Sequence, residues 1–285
     1  MESTPAPTSV RAWCLRVLEG GALADKLASA AAVDGSVIPD EPGPALLLRA
    51  PARDGVLRMA IGSQKLPRLG ELTGKDARIA TLSRFAHHEL MAVELFAWAL
   101  LAFPALPAPL RRGLLAAAAE EQAHLALYIE RIQAHGAQFG DVPLSDYFWQ
   151  LVPAISKAAD PALAFLCAQG LTLEQANLDF SMLYRDAFAR AGDVDSAGVC
   201  QRVHDDEIGH VRLARTWVER LSGKEDVVAY DEHVPFPLSA ARAKGRRFEQ
   251  SARTKAGLSP AFIERVRHAK PYEHRSLPAN TVDES

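Results

Sequence analysis

Two short segments, Glu121-Gln122-Ala123-His124 and Glu207-Ile208-Gly209-His210, set the tightest limit on how this chain can fold. Each lies in a long proline-free stretch, and residues three apart on a helix share a face, so carboxylate and imidazole point the same way. A further glutamate precedes each segment in another such stretch. Glu89 lies 32 residues before Glu121, and Glu174 lies 33 before Glu207. Shifting by 86 maps Glu121 onto Glu207 and His124 onto His210, and shifting by 85 maps Glu89 onto Glu174. The chain therefore holds two copies of one half-site, each on a helical hairpin.

The helices that carry them are legible. Lys75 to Phe103 runs 29 residues without Pro or Gly and stops at Pro104, and Leu110 to Ala134 stops at Gly136. Pro161 suits the first turn of a third helix to Ala191, and Asp195 is the expected cap of a fourth, Ser196 to Leu221, ended by Gly223. Between the second and third, Gly136, Gly140, Pro143 and Pro153 surround Tyr147-Phe148-Trp149, a long connection rather than a tight turn. The expected fold is all-α: a ferritin-like four-helix bundle, two hairpins joined by a long crossover. At 1.5 Å per residue, Glu89 lies about 21 Å from the end of its helix and Glu121 about 17 Å back along the next, so the two come level. In the second hairpin the lengths are about 26 Å and 17 Å, a poorer match.

Residues 75–222 form the expected bundle, between an N-terminal extension (1–74) and a basic C-terminal one (223–285). The first holds an amphipathic helix over 8–30, with a candidate break at Gly20-Gly21, then an irregular segment with LLLRAP and VLRMAI as candidate strands. Residues 241–285 carry 10 Lys+Arg and 5 Asp+Glu, net +5, against -8 for residues 1–240. This segment is expected to pack on its own acidic bundle or on a second copy in a homodimer, with RNA or another polyanion as the alternative partner. The whole chain, with 32 Lys+Arg and 35 Asp+Glu, advertises neither nucleic acid nor membrane. The longest apolar stretch, Ala97 to Leu110, is cut by Pro104 and Pro107, and MESTPAPTSVRAW has no signal-peptide pattern, so a cytoplasmic protein without a membrane span is expected. Cys14, Cys167 and Cys200 are odd in number and widely spaced. They read as buried thiols rather than a disulfide framework or a cysteine metal site.

Four carboxylates and two imidazoles in a bundle core are untenable alone, since each unpaired buried carboxylate costs several kcal/mol or takes up a proton. Two divalent cations remove the conflict. Glu on two helices plus Glu-x-x-His on two others is the ligand set of carboxylate-bridged di-iron and di-manganese bundles, and mixed oxygen and imidazole donors suit iron or manganese. Glu94 competes with Glu89, but it lies about 140° round the helix and reads as an inter-helix hydrogen-bonding group. Asp206 and Glu120 each precede a Glu-x-x-His by one residue, where a carboxylate can take a ligand histidine's other N–H. His204 lies one turn before Glu207 and reads as a surface histidine or a proton shuttle. Asn177 and Ser181 share a face with Glu174, a candidate polar pocket wall. His87 and His88 read as core or cap residues, and Tyr128, Tyr184 and Trp98 as core residues or radical relays.

HHELMAVEL, EEQAHL, LTLEQANLDF and HDDEIGH, in this order, resemble the ferritin-like di-iron superfamily. The chain looks most like an uncharacterised bacterial ferritin-like family of unknown function, with the likeness running through residues 8–269. Demethoxyubiquinone hydroxylases and the tRNA isopentenyladenosine hydroxylase are similar only at the metal motifs. Carried over residue by residue, the resemblance implies Glu89, Glu121, His124, Glu174, Glu207 and His210 as ligands of two iron ions, or of manganese or a mixed pair. It also implies that Glu121 and either Glu174 or Glu207 are among the bridging carboxylates. The expected function is a non-haem di-iron oxidoreductase that uses O2 on a small organic substrate. Its reducing equivalents would come from an external electron donor, since the chain has neither a flavin fingerprint nor an iron–sulfur cysteine set. Ferroxidase or metal handling, a tRNA-modifying hydroxylase that uses the basic tail, and a non-enzymatic helical module are the alternatives.

Overall fold

The computed structural model describes residues 6–31, 35–60 and 65–271. Helices α1 (Val10–Glu19) and α2 (Leu23–Lys26) open the chain, broken at Gly20-Gly21. A two-residue strand β1 (Met59–Ala60) precedes the long α3 (Lys75–Ala102) and α4 (Ala108–Ala134). The crossover contains β2 (Leu144–Ser145) and α5 (Val152–Ser156), and β1 and β2 pair in parallel. The second hairpin comprises α6 (Pro161–Ala168), a π-helical turn Gln169–Glu174, α7 (Gln175–Arg190) and α8 (Val194–Ser222). Helices α9 (Asp226–His233), α10 (Gln250–Lys255) and α11 (Pro260–His268) close the described chain.

The bundle is all-α with the long crossover expected, and four details differ from the sequence reading. LLLRAP forms no strand; its Leu46 N–H instead reaches the Leu101 carbonyl of α3, at 3.0 Å. Of VLRMAI only Met59 and Ala60 pair, and Ile61 lies outside the described residues, as do 272–285. The fourth helix is capped by Asp193, whose side chain accepts from the Ser196 N–H, rather than by Asp195. The third helix is interrupted by the π-helical turn that ends on Glu174. With α7 ending at Arg190 and α8 starting at Val194, the second hairpin's arms become about 24 Å and 20 Å, which mends the mismatch.

By length and composition α3 is apolar enough to cross a membrane, but 89% of its most apolar window is buried inside the protein. It is the central core helix, covered by α4 and the N-terminal segment, while its Phe85 and Phe96 meet Tyr184 and Phe165 of the second hairpin. Apolar side chains form two clusters, one around Phe96, Leu114, Phe165 and Val211, the other around Leu82, Leu90, Leu125 and Val203. Glu89, Glu121 and Glu207 lie where their helices pass from one cluster to the other, so the fold sets a polar layer between two dry ends.

The flanking segments are bound by buried charge. Lys26 and Arg53 converge on Glu94 of α3, at 3.0 Å and 2.7 Å, and the Trp149 indole of the crossover donates to the same carboxylate at 2.9 Å. Burial lowers the Lys26 pKa, and Glu94 opposes that shift. At the other end, fully buried Arg253 pairs with Asp179 of α7 at 2.7 Å. Arg247 pairs with Asp186 and Glu249, and Arg265 with Asp231. Much of the basic segment therefore neutralises acids of its own chain.

Candidate metal centre

The six expected ligands come from four helical elements and meet in the polar layer. Their donor atoms fall into two groups, Glu121, Glu174, Glu207 and His210, and Glu89, Glu121 and His124; within each group the atoms lie within 4.8 Å of one another. All six residues are at most 4% exposed. Glu121 is common to both groups, whereas neither Glu174 nor Glu207 is shared.

The fit to cations rests on atoms left without hydrogen-bond partners. Glu121 Oε1, Glu207 Oε2 and His210 Nδ1 are buried and make no hydrogen bond. Yet His210 Nδ1 stands 3.0 Å from Glu121 Oε1 and 3.3 Å from Glu207 Oε2. Three donors that crowd together without hydrogen-bonding geometry, where buried polar atoms are normally satisfied, suit a metal ion. His124 Nδ1 also faces its group, hydrogen-bonded to Glu121 Oε2 at 3.4 Å and 3.9 Å from Glu89 Oε2.

Each imidazole is held from behind. His124 Nε2 meets Asp206 at 3.0 Å, and His210 Nε2 meets Glu120 at 2.7 Å. With Nε2–H donating to a carboxylate, Nδ1 carries its lone pair inward. Asn177 donates to Glu207 Oε1 at 2.7 Å, and Gln169 to Glu174 Oε1 at 3.1 Å. Gln169 escaped sequence reasoning, because only the π-helical turn brings it onto Glu174; the signal was Gly170 inside a helical stretch. A Cβ at Gly170 would stand 2.3 Å from the Ala214 Cβ, so only glycine lets this turn approach α8.

Burial and close neighbours together shift every titratable group of the cluster. Burial raises Glu89 well above the usual carboxylate range and Glu174 to about 8, and raises Glu207 as well. Burial would raise Glu121 too, but the Glu89 carboxyl and the His124 and His210 imidazoles beside it hold it well below. Burial disfavours charge on both imidazoles, yet Glu121 lifts His124 to about 9, and Glu120 with Glu121 lifts His210 well above its ordinary value.

Other expected residues lie elsewhere. Glu94 faces Lys26 and Arg53 and belongs to neither donor group. His204 is 7% exposed rather than a surface group; its Nδ1 lies 3.1 Å from the Leu178 carbonyl, and burial lowers its pKa. His87 accepts from the Ser145 N–H at 3.4 Å and burial depresses it to about 2, while His88 stacks on Phe148 and is depressed to about 3. Trp98 donates to the Leu48 carbonyl, and Tyr184 packs edge-on against Phe85. Tyr128 is buried, with its hydroxyl 4.0 Å from the Cys200 thiol. All three cysteines are free and buried.

The polar layer opens on one side into a cavity of about 330 Å³. Glu89, Glu121, Glu174 and Glu207 form its floor, with Phe85, Tyr128, Phe148 and Leu173 among its walls and Tyr147, Arg242 and Lys244 at its rim.

A 112-residue stretch is 28% identical to an uncharacterized protein of Haemophilus influenzae, covering 39% of this chain and 38% of that protein. No solved structure matches. Neither finding brings in the hydroxylases that the metal motifs resemble. The family model that matches spans residues 21–264, and the chain belongs to that family, described as "Protein of unknown function (DUF455)".

Proposed function

We propose that this protein is a dinuclear metal oxidoreductase of the ferritin-like di-iron type, acting with O2 on an organic molecule bound in the cavity. One observation carries the reading: a buried carboxylate, Glu121, shared by two donor groups whose glutamates line the floor of an apolar cavity. Glu89, Glu121 and His124 would hold one ion, and Glu121, Glu174, Glu207 and His210 the other. When bound, such a pair supplies Lewis-acid and redox chemistry toward dioxygen. The chain's own residues do the rest. Asp206 and Glu120 fix the imidazole tautomers, Asn177 and Gln169 orient Glu207 and Glu174, and the aromatic walls exclude water. Electrons come from a separate donor protein or reductant. An apolar cavity over the centre favours an organic substrate above ferroxidase or storage chemistry, and the internal pairing of Arg247, Arg253 and Arg265 favours a packed extension above an RNA-binding one.

The test is metal analysis of protein purified without chelators, followed by anaerobic ferrous loading and exposure to O2. Two ions per chain and an oxygen-dependent absorption change are expected. Fewer than one ion per chain overturns the centre, and two ions with no response to O2 overturn the oxidoreductase.

A further inference from the structure

We propose that the cavity takes an apolar molecule ending in an anionic group, carboxylate or phosphate, which Arg242 holds at the mouth. This deepens, and rests on, the reading of the floor as a metal centre. The floor glutamates are at most 4% exposed, whereas Arg242 is exposed, so the guanidinium marks the open end. Its side chain donates to the Tyr147 hydroxyl and stands 5.7 Å from that ring's centroid. Among the described residues it has no carboxylate partner, unlike Arg247, Arg253, Arg265 and Arg267 of the same basic extension. Lys244, whose ammonium donates to the Arg267 carbonyl, brings a second positive charge to the same rim.

The walls decide the rest of the ligand. Phe180 and Leu66, 38% and 36% exposed, form an apolar collar, and Phe85, Phe148 and Leu173 continue it inward. His88 stacks on Phe148 with ring centroids 5.2 Å apart and stiffens that wall. An anionic group is matched by guanidinium geometry at the exposed rim, whereas Phe85, Phe148 and Leu173 below it match only an apolar tail. The molecule therefore enters tail first, its charged end outward and its most apolar end against the polar layer. The volume lies at the lower end of the usual small-molecule range.

Calorimetric titration of the purified full chain, metal-free and manganese-loaded, with octanoate, octyl phosphate, octanol and octyltrimethylammonium tests this. Octanoate or octyl phosphate should bind about three- to tenfold more tightly than octanol, the cation should bind most weakly, and the advantage should shrink with added salt. The stronger of the two anions identifies the end group. Arg242→Ala should remove most of the preference, the remainder being due to Lys244, and leave octanol affinity unchanged, whereas Arg242→Lys should keep most of it; a preference undiminished in Arg242→Ala overturns the role of Arg242. Arg242 is exposed, so an unchanged melting temperature shows that each variant folds. Equal affinity for all four compounds overturns the proposal, as does an RNA oligonucleotide that binds through Arg242 when none of the four does. Metal content measured on the same samples separates the two readings. Two ions without an anion preference leave the centre standing and remove this inference; an anion preference without ions does the reverse.

Discussion

Replacing Glu94 tests whether the N-terminal segment is fastened to the bundle by charge. Its carboxylate accepts from Arg53 Nε at 2.8 Å, Arg53 Nη2 at 2.7 Å and the Trp149 indole at 2.9 Å, with Lys26 Nζ at 3.0 Å. Lys26 and Glu94 are 0% exposed, so little water is available to replace a lost partner. Removing one member of such a buried set costs about 3–5 kcal/mol, because the opposite charges stay behind unpaired. At about 2–4 °C per kcal/mol for a large domain, Glu94→Ala should lower the melting temperature by roughly 6–20 °C. The variant Lys26→Met/Glu94→Leu should be more stable than the summed single losses by at least about 1 kcal/mol, since it removes both charges together. Thermal unfolding followed by circular dichroism measures both, and metal analysis of Glu94→Ala at low temperature should still find two ions. A melting shift of under about 2 °C would refute the burial argument. Loss of metal in a folded Glu94→Ala variant would show that Glu94, not Glu89, serves the centre.

Glu121→Ala should take metal content from two ions toward none, whereas Glu89→Ala should retain one; equal losses would argue against Glu121 as the shared group. Gly170→Ala should cost about 1–3 kcal/mol by overpacking against Ala214 and weaken metal retention through Glu174, and a neutral result in both would dismiss the tight approach. Burial would raise the Asp193 pKa, but hydrogen bonds from Ser196 and His135 outweigh it and hold the carboxyl below its usual range. A depressed acid contributes stability above its unfolded pKa of about 3.9 and loses it as pH falls through the folded value. Asp193→Asn should therefore be less stable by about 1 kcal/mol at neutral pH and converge with the parent below about pH 4. Burial raises all three thiols, Cys200 to about 12, so a thiol-reactive dye should label the folded protein slowly and the unfolded one at three sites.

What was readable in the sequence followed from periodicity and punctuation. Pro104, Gly136, Gly192 and Gly223 each close a helix within a residue or two of its observed end, because loss of an N–H donor or a left-handed turn acts locally. Four of the six donors were readable because three-residue spacing on a helix fixes a shared face whatever the tertiary packing, and Glu89 and Glu174 because the half-site repeats along the chain. Features that depend on non-local approach were not. The π-helical turn at Gln169–Glu174 depends on how closely α8 lies against Gly170, and the burial of His204 on the α7 backbone it meets. Glu94 reads as an inter-helix hydrogen-bonding group and does accept hydrogen bonds, but its partners Lys26, Arg53 and Trp149, 68, 41 and 55 residues away, lie in the flanking segments and were not legible. LLLRAP has strand composition without a neighbouring strand edge, so it lies against α3 through the Leu46 N–H and the Trp98 indole instead.

The doubled half-site has a consequence that neither hairpin shows alone. Glu120 and Asp206 occupy equivalent positions, one residue before each Glu-x-x-His, but neither serves the histidine of its own helix. Glu120 on α4 holds His210 on α8, and Asp206 on α8 holds His124 on α4. The exchange means that docking the hairpins sets both imidazole orientations at once, whereas an isolated hairpin leaves its histidine free to rotate. Asp206→Ala should consequently impair the ion on the Glu89 and His124 side, across the interface, while Glu120→Ala impairs the ion at His210. Losses of about 10- to 100-fold in metal affinity are the scale for such outer partners. Manganese titration of the two variants, with Arg202→Ala as a control for the exposed partner of Asp206, reads the crossing directly. If each substitution instead weakens the ion held by its own helix, the reciprocal arrangement does not govern the centre.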